Sequence, residues 1–102
     1  MENISVEEVK KRVDNGEKLN LVDVKEPHER VDFNIGGIHI PLGQIQTMQI
    51  DDIEDLKNEE VILYCRSGNR SGQAAMFLEA MGFTNTKNLV GGMLAWEDKF
   101  GR

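Results

Sequence analysis

Apolar side chains along this chain recur at two different periods, and the switches between them predict alternating helices and strands. Val6, Val9 and Val13 follow helical spacing behind a Ser5-x-x-Glu8 capping-box pattern, and Asn15-Gly16 supplies a stop, which predicts a first amphipathic helix. Leu19 to Val24 reads as a strand. Pro27 suits the first turn of a short helix running to about Val31, and Gly36-Gly37 ends it before an extended stretch, Ile38 to Pro41. From Leu42 to Leu56 the pattern is weakest: Ile45, Met48, Ile50, Ile53 and Leu56 fit one or two short helices, with Asp51 or Asp52 as a cap. The run Val61-Ile62-Leu63-Tyr64 is short, apolar and β-prone, and Gln73 to Met81 is helical, with Ala74, Ala75, Leu78 and Met81 as its apolar stripe and Gly82 as its C-cap. Thr86 to Val90 gives a last strand, and Gly91-Gly92 leads into a closing helix through Trp96. Strands alternating with helices predict an α/β fold of three layers, a mostly parallel central sheet flanked by helices, with ligands at the carboxyl ends of the strands.

Length limits this architecture to a single domain over residues 1–102, able to bury roughly two-thirds of its unfolded surface. With 39% hydrophobic and 29% charged residues, only 2 prolines and no repeat, the composition is that of an ordinary globular protein. The net charge of -6 argues against nucleic acid as a partner, because phosphates demand a basic face. No run approaches the ~20 apolar residues that span a membrane, and the polar, acidic start Met1 to Glu8 lacks the features of a secretory signal, so the expected location is cytoplasmic. One cysteine cannot form an internal disulfide, which fits a reducing compartment.

That cysteine opens the segment richest in chemistry, Cys65-Arg66-Ser67-Gly68-Asn69-Arg70-Ser71, placed between the apolar strand and the helix that follows. Backbone N–H groups at such a turn lack partners and can hold an anion, helped by the positive helix end. Free cysteine titrates near ~8.5, and flanking arginines with a helix start can lower that to roughly 3.5 to 7.5. Most lone cysteines are inert, buried small hydrophobes; two arginines, Gly68 and the strand-loop-helix context favour a nucleophile here. The remaining candidates read as scaffold. Trp96 and Phe100 at helical spacing pack in the core or a cleft wall, His28 and His39 stand apart without partners at ligand spacing, and Asp23 at a strand end supports neighbouring loops. No metal constellation and no cofactor is expected.

The Cys-x-x-Gly-x-Arg loop after a hydrophobic strand resembles the active-site loop of the rhodanese family. Leu21-Val22-Asp23-Val24-Lys25-Glu26-Pro27 is similar to that family's amino-terminal signature, Ile35 to Pro41 to the glycine-isoleucine-proline stretch, and Gly91-Gly92-Met93-Leu94-Ala95-Trp96 to the carboxy-terminal signature. Two positions depart from the pattern: Lys25 stands where the family usually has arginine, which would make a two-pronged ion pair that lysine cannot copy, and Asn34 where it commonly has histidine.

The resemblance implies a rhodanese-like fold and a sulfurtransferase that moves a sulfane sulfur from thiosulfate or a similar donor, through a Cys65 persulfide, to cyanide or a thiol, including a protein thiol. In that reading the amides from Arg66 through Ser71 cradle the outer sulfur, Gly68 permits the tight curve, and Ser71 hydrogen-bonds Cys65. Arg70 lowers the thiol's pKa and holds the loop, and Arg66 meets the donor's anionic end. A different class of answer is a persulfide carrier or partner-docking module with the same loop. Cysteine-dependent phosphatase or arsenate chemistry is less favoured. Tyr64 precedes the cysteine, and four residues separate Cys65 from Arg70 where phosphatases have five, which shortens the loop by about 3.3 to 3.6 Å of contour.

Overall fold

A computed structural model describes residues 1–102. Five strands, β1 (Glu2–Ile4), β2 (Leu21–Asp23), β3 (Ile38–His39), β4 (Val61–Tyr64) and β5 (Thr86–Leu89), form one sheet in the order β1-β5-β4-β2-β3. Every neighbouring pair is parallel, with Leu21 opposite Ile62, Val61 opposite Thr86, and Glu2 opposite Lys87. Parallel neighbours require crossovers, and these are α1 (Val6–Asp14), α2 (Pro27–Asp32), α3 (Leu42–Gln46) with a 3-10 turn over Asp51–Leu56, α4 (Asn69–Ala80) and α5 (Gly92–Phe100).

The two-residue alternation of β4 sorts the layers. Val61, Leu63 and Cys65 face one cluster with Ile45, Ile53, Ala74, Ala75 and Leu78, while Ile62 and Tyr64 face the other with Val6, Val9, Leu89 and Met93. Helices α3 and α4 therefore cover one face and α1 and α5 the other, which is the three-layer α/β/α arrangement. The chain leaves β2 toward β3 on one side and β4 toward β5 on the other. Such a reversal opens a crevice at the carboxyl ends of β2 and β4, and Cys65 follows β4 directly.

Several boundaries differ from those the sequence predicts, each for a local reason. The edge strand β1 escapes the pattern because Glu2 and Asn3 are exposed and only Ile4 is buried, so its three residues show no alternation. Helix α4 begins at Asn69, one turn before its apolar stripe, because the left-handed Gly68 turns the chain into helix at once. Helix α5 continues past Trp96 to Phe100, stabilised by a T-shaped Trp96–Phe100 ring pair at 5.1 Å. Neither Asp51 nor Asp52 caps the 3-10 turn; Ile50 precedes it without a side-chain cap. Ser5 does cap α1, its hydroxyl accepting from the Glu8 amide at 3.1 Å.

Candidate active site

Every residue of β4 is buried, so the strand delivers Cys65 to its carboxyl end in a fixed position. The loop that follows wraps the sulfur. The Gly68 amide donates to Sγ at 3.1 Å, and the Ser71 hydroxyl lies 3.4 Å from it. Gly68 sits at φ 96°, ψ -4°, a left-handed conformation open to glycine at little cost, and this residue converts the loop into the first turn of α4.

A second element fixes the start of the loop. The first free N–H groups of α5 are spent on the loop, Met93 donating to the Cys65 carbonyl and Leu94 to the Arg66 carbonyl, each at 3.0 Å. In a trans peptide the C=O and the following N–H point opposite ways, so drawing both carbonyls toward α5 turns the Arg66 and Ser67 N–H groups away from it. The contact requires Gly92: at its φ of 54°, an added Cβ would stand 2.4 Å from the Cys65 oxygen and 2.6 Å from the Arg66 oxygen.

Cys65 has no exposed surface and belongs to the α4-side core, yet its sulfur faces hydrogen-bond donors. Burial disfavours its charge, but the Ser71 hydroxyl and the amides of Ser71, Gly68 and Ser67 outweigh that cost and hold the thiol below its ordinary value. Hydrogen bonds, more than arginines, do the lowering. Arg70 gives its guanidinium to Glu29 of α2, with Nη1–Oε1 at 2.6 Å and Nη2–Oε2 at 2.8 Å, so its main work is to pin the start of α4 to α2. Asn69 turns outward, its side-chain oxygen accepting from Gln73.

Arg66 points elsewhere. It lines a cavity of about 350 Å³ between α2 and α5, with Lys25, His28, Phe33, Met93 and Leu94 among the other walls. The carboxylates of this groove are already paired: Glu29 with Arg70, and Asp32 and Glu97 with Arg102. The Arg66 guanidinium, alone among those of the five arginines, makes no ion pair or hydrogen bond within the chain, while those of Arg12, Arg30, Arg70 and Arg102 are all engaged. The groove therefore holds one free guanidinium beside the cysteine loop.

On the β2 side, Asp23 is fully buried and accepts from the Lys25 amide at 2.9 Å, from Lys25 Nζ at 3.0 Å and from Arg30 Nη1 at 3.4 Å. Where an arginine at position 25 would grip the carboxylate with two prongs, this chain supplies two cations from different positions. Arg30 also donates to the carbonyls of Gly36 and Gly37. Tyr64 joins them, its hydroxyl donating to the Gly36 carbonyl at 2.7 Å and accepting from the Ile35 amide at 3.2 Å. Burial, with the Asp23 carboxylate nearby, pushes this phenol above its ordinary range and keeps it a donor. His39 is structural, its Nε2 lying 2.6 Å from the Lys25 carbonyl, while His28 lies on the groove rim. Trp96 and Phe100 are absent from that groove.

Three participants are not assigned to the site by the sequence. Glu29 stands inside a stretch of ordinary charged helix, Gly92 belongs to the carboxy-terminal signature but serves the loop only through the fold, and Asn88 of β5 lies buried against Ser71 and Gly68. Asn88 left a weak signal: with Thr86 it is a polar residue buried in its strand, where an apolar residue is the norm.

A parallel α/β sheet with one cysteine at a strand's carboxyl end, its sulfur met by an amide and a hydroxyl and its loop followed by a helix, defines a class of cysteine-loop α/β proteins. Within that class, the family model for the Rhodanese-like domain matches residues 5–99, and the chain belongs to that family. It is 38% identical over 96 residues to the "Putative sulfurtransferase YtwF" of Bacillus subtilis (strain 168), covering 92% of this chain and 88% of that protein. It is also 38% identical over 97 residues to the "Putative sulfur carrier protein YrkF" of the same organism, where 94% of this chain spans only 51% of the relative. The crystal structure of a rhodanese-like domain protein from Staphylococcus aureus superposes with a TM-score of 0.84 at 29% identity, covering 98% of this chain and 95% of that one. Family and relatives together support sulfur transfer in general. No helix is long and apolar enough to cross a membrane.

Proposed function

We propose that this protein is a thiosulfate-type sulfurtransferase in which Cys65 is the nucleophile and Arg66 holds the anionic end of the donor. The Cys65 thiolate attacks the outer sulfur of thiosulfate, the donor's S–S bond breaks, and sulfite departs with the bonding electron pair. A persulfide remains on Sγ. An acceptor thiolate or cyanide then attacks the outer sulfur, the persulfide bond breaks, and its electrons return to Sγ as thiolate. Sulfite is already a competent leaving group, so the step calls for a nucleophile and for stabilisation of negative charge, with no general acid.

The observation that carries this reading is the convergence of donors on one sulfur, with Gly68 N–H at 3.1 Å and the Ser71 hydroxyl at 3.4 Å from Sγ. Ser67, Gly68 and Ser71 supply the cradle, Arg66 the donor contact, and Asn69 and Arg70 the helix start and its anchor. A buried sulfur in a short loop suits transfer of one sulfur atom better than of a phosphoryl group. The acceptor in this proposal is a small thiol, a protein thiol or cyanide. The test is the intact mass of the protein after incubation with thiosulfate. A gain of one sulfur that cyanide removes, absent in Cys65→Ser, is expected; an unchanged mass refutes the half-reaction.

Similarity to a protein described as a sulfur carrier favours a second reading, in which the persulfide is kept for a dedicated protein acceptor. Mass spectrometry separates the two: a persulfide that survives millimolar small thiols but transfers to a protein acceptor supports the carrier.

A further inference from the structure

Asn88 sits on β5, behind the cysteine loop, and touches both parts of the cradle. Its Nδ2 donates to the Gly68 carbonyl at 3.0 Å, and its Oδ1 accepts from the Ser71 hydroxyl at 2.5 Å. The carbonyl of Gly68 can only accept, so the amide nitrogen must face it and the oxygen must face Ser71. Gly72 leaves the room for this side chain, since an added Cβ there would lie 3.3 Å from Asn88 Nδ2. Ser71 thus stands between two acceptors, Asn88 Oδ1 and Cys65 Sγ at 3.4 Å, with a single hydroxyl hydrogen to give.

We infer that Asn88 is a positioning residue that governs how readily Cys65 ionises, by competing with the thiolate for the one hydrogen of Ser71. With a neutral thiol the hydrogens run in one direction, Cys65 S–H to Ser71 Oγ and Ser71 O–H to Asn88 Oδ1, and all three groups are satisfied. Ionisation takes the proton from sulfur to solvent. Ser71 then turns its hydrogen onto Sγ, and Asn88 Oδ1 is left facing an oxygen lone pair at short range. In a persulfide the negative charge lies on the outer sulfur, so Sγ no longer needs Ser71 and the bond to Asn88 is restored. Asn88 therefore opposes the free thiolate alone, and restrains the resting nucleophile while leaving the loaded one undisturbed.

The inference deepens the proposed function and rests on Cys65 being its nucleophile, but its test uses no sulfur donor, so failure of one is distinguishable from failure of the other. Charged groups around the loop are Arg66 and Arg70 on its own segment, Glu29 from α2, the Asp23–Lys25 pair from β2 and Glu97 from α5, and substitution at position 88 alters none of them. The measurement is the rate of iodoacetamide alkylation of Cys65 against pH, in Asn88→Ala, Ser71→Ala and the double variant. Asn88→Ala is expected to move the midpoint to lower pH and to speed alkylation below it by about three- to tenfold, the factor of one hydrogen bond. In the Ser71→Ala background the same substitution is expected to leave the midpoint where Ser71→Ala puts it. A downward shift that persists without the Ser71 hydroxyl, no shift, or an upward shift overturns the inference. Should Asn88→Ala fail to fold, Asn88→Asp gives the opposite arm: its carboxylate holds the Ser71 hydrogen more tightly, so the midpoint rises, and rises less when Ser71 is alanine. An equal rise in both backgrounds overturns the inference.

Discussion

Replacing Glu29 by Gln tests whether the α2–α4 pair contributes to stability through charge. The side chain keeps its shape and one acceptor for the Glu26 amide, which Glu29 Oε1 now holds at 3.0 Å, but it loses the two-pronged grip on Arg70. In the folded protein the Arg70 hydrogen bonds bring the Glu29 carboxyl from its ordinary 4.5 down to about 2. Taken whole, that drop is worth roughly 3 kcal/mol. The Arg70 and Glu29 side chains are 32% and 21% exposed, so solvent screening reduces it to about 1–2 kcal/mol. Because the folded value is depressed, the stabilisation is fully present above pH 4.5 and is lost as pH falls through about 2. Urea unfolding at a series of pH values should therefore show Glu29→Gln less stable than the parent by about 1–2 kcal/mol at pH 7, equivalent to about 4–16 °C in Tm. That gap should close between pH 4.5 and about 2. Glu60, held down to about 2 chiefly by Arg12, titrates in the same window in both proteins and cancels from the difference. A gap that stays constant with pH would show that Gln disrupts packing and would refute the electrostatic account.

Gly92→Ala should be costly to activity as well as fold: the new Cβ meets the Cys65 and Arg66 carbonyls, so thiosulfate turnover should fall by at least ~10-fold and the alkylation midpoint of Cys65 should rise, both readable by kinetics against pH. Lys25→Met removes one of two cations from buried Asp23 and should destabilise by about 2–3 kcal/mol in urea unfolding, below the 3–5 kcal/mol typical of orphaning a buried charge, because Arg30 remains. Arg66→Ala should raise the thiosulfate KM with a small change in kcat, and the parent's KM should rise with salt while the variant's changes less; equal salt sensitivity would remove Arg66 from donor binding.

Much of the fold was readable because strand and helix periods separate cleanly where apolar residues dominate. Val61 to Tyr64 reads as a buried strand and is one, and the stripe through Ala74, Ala75 and Leu78 lies against it. Legibility fails where stabilisation comes from outside the segment. Glu2 and Asn3 become a strand only because the β5 edge is there to pair with, and Asn69 joins α4 through the backbone turn at Gly68 without any apolar signal of its own. At the site, the sequence points to Cys65 and its loop through spacing, and reads Arg70 as holding the loop and lowering the thiol's pKa, but it gives no sign that Glu29 is the partner through which Arg70 holds it. No local pattern connects residues 41 positions apart across two helices.

The pairing of Arg70 changes how the loop thiol of an acidic protein must be understood. With a net charge of -6 and its second loop arginine neutralised, the chain does not lower its thiol's pKa by surrounding it with free cations. It uses dipoles at contact distance: the N–H of Gly68, in a loop whose start is tied to α5, and a hydroxyl shared with Asn88. Short hydrogen bonds in a buried site are weakly screened by salt, whereas the field of an exposed arginine fades over a Debye length of ~8 Å at physiological ionic strength. The division leaves Arg66 unpaired in the groove, where a mobile anion can neutralise it. One arginine supports the frame and adds only a weaker field to the thiol, whose own lowering is led by hydrogen bonds, while the other carries no partner in the groove.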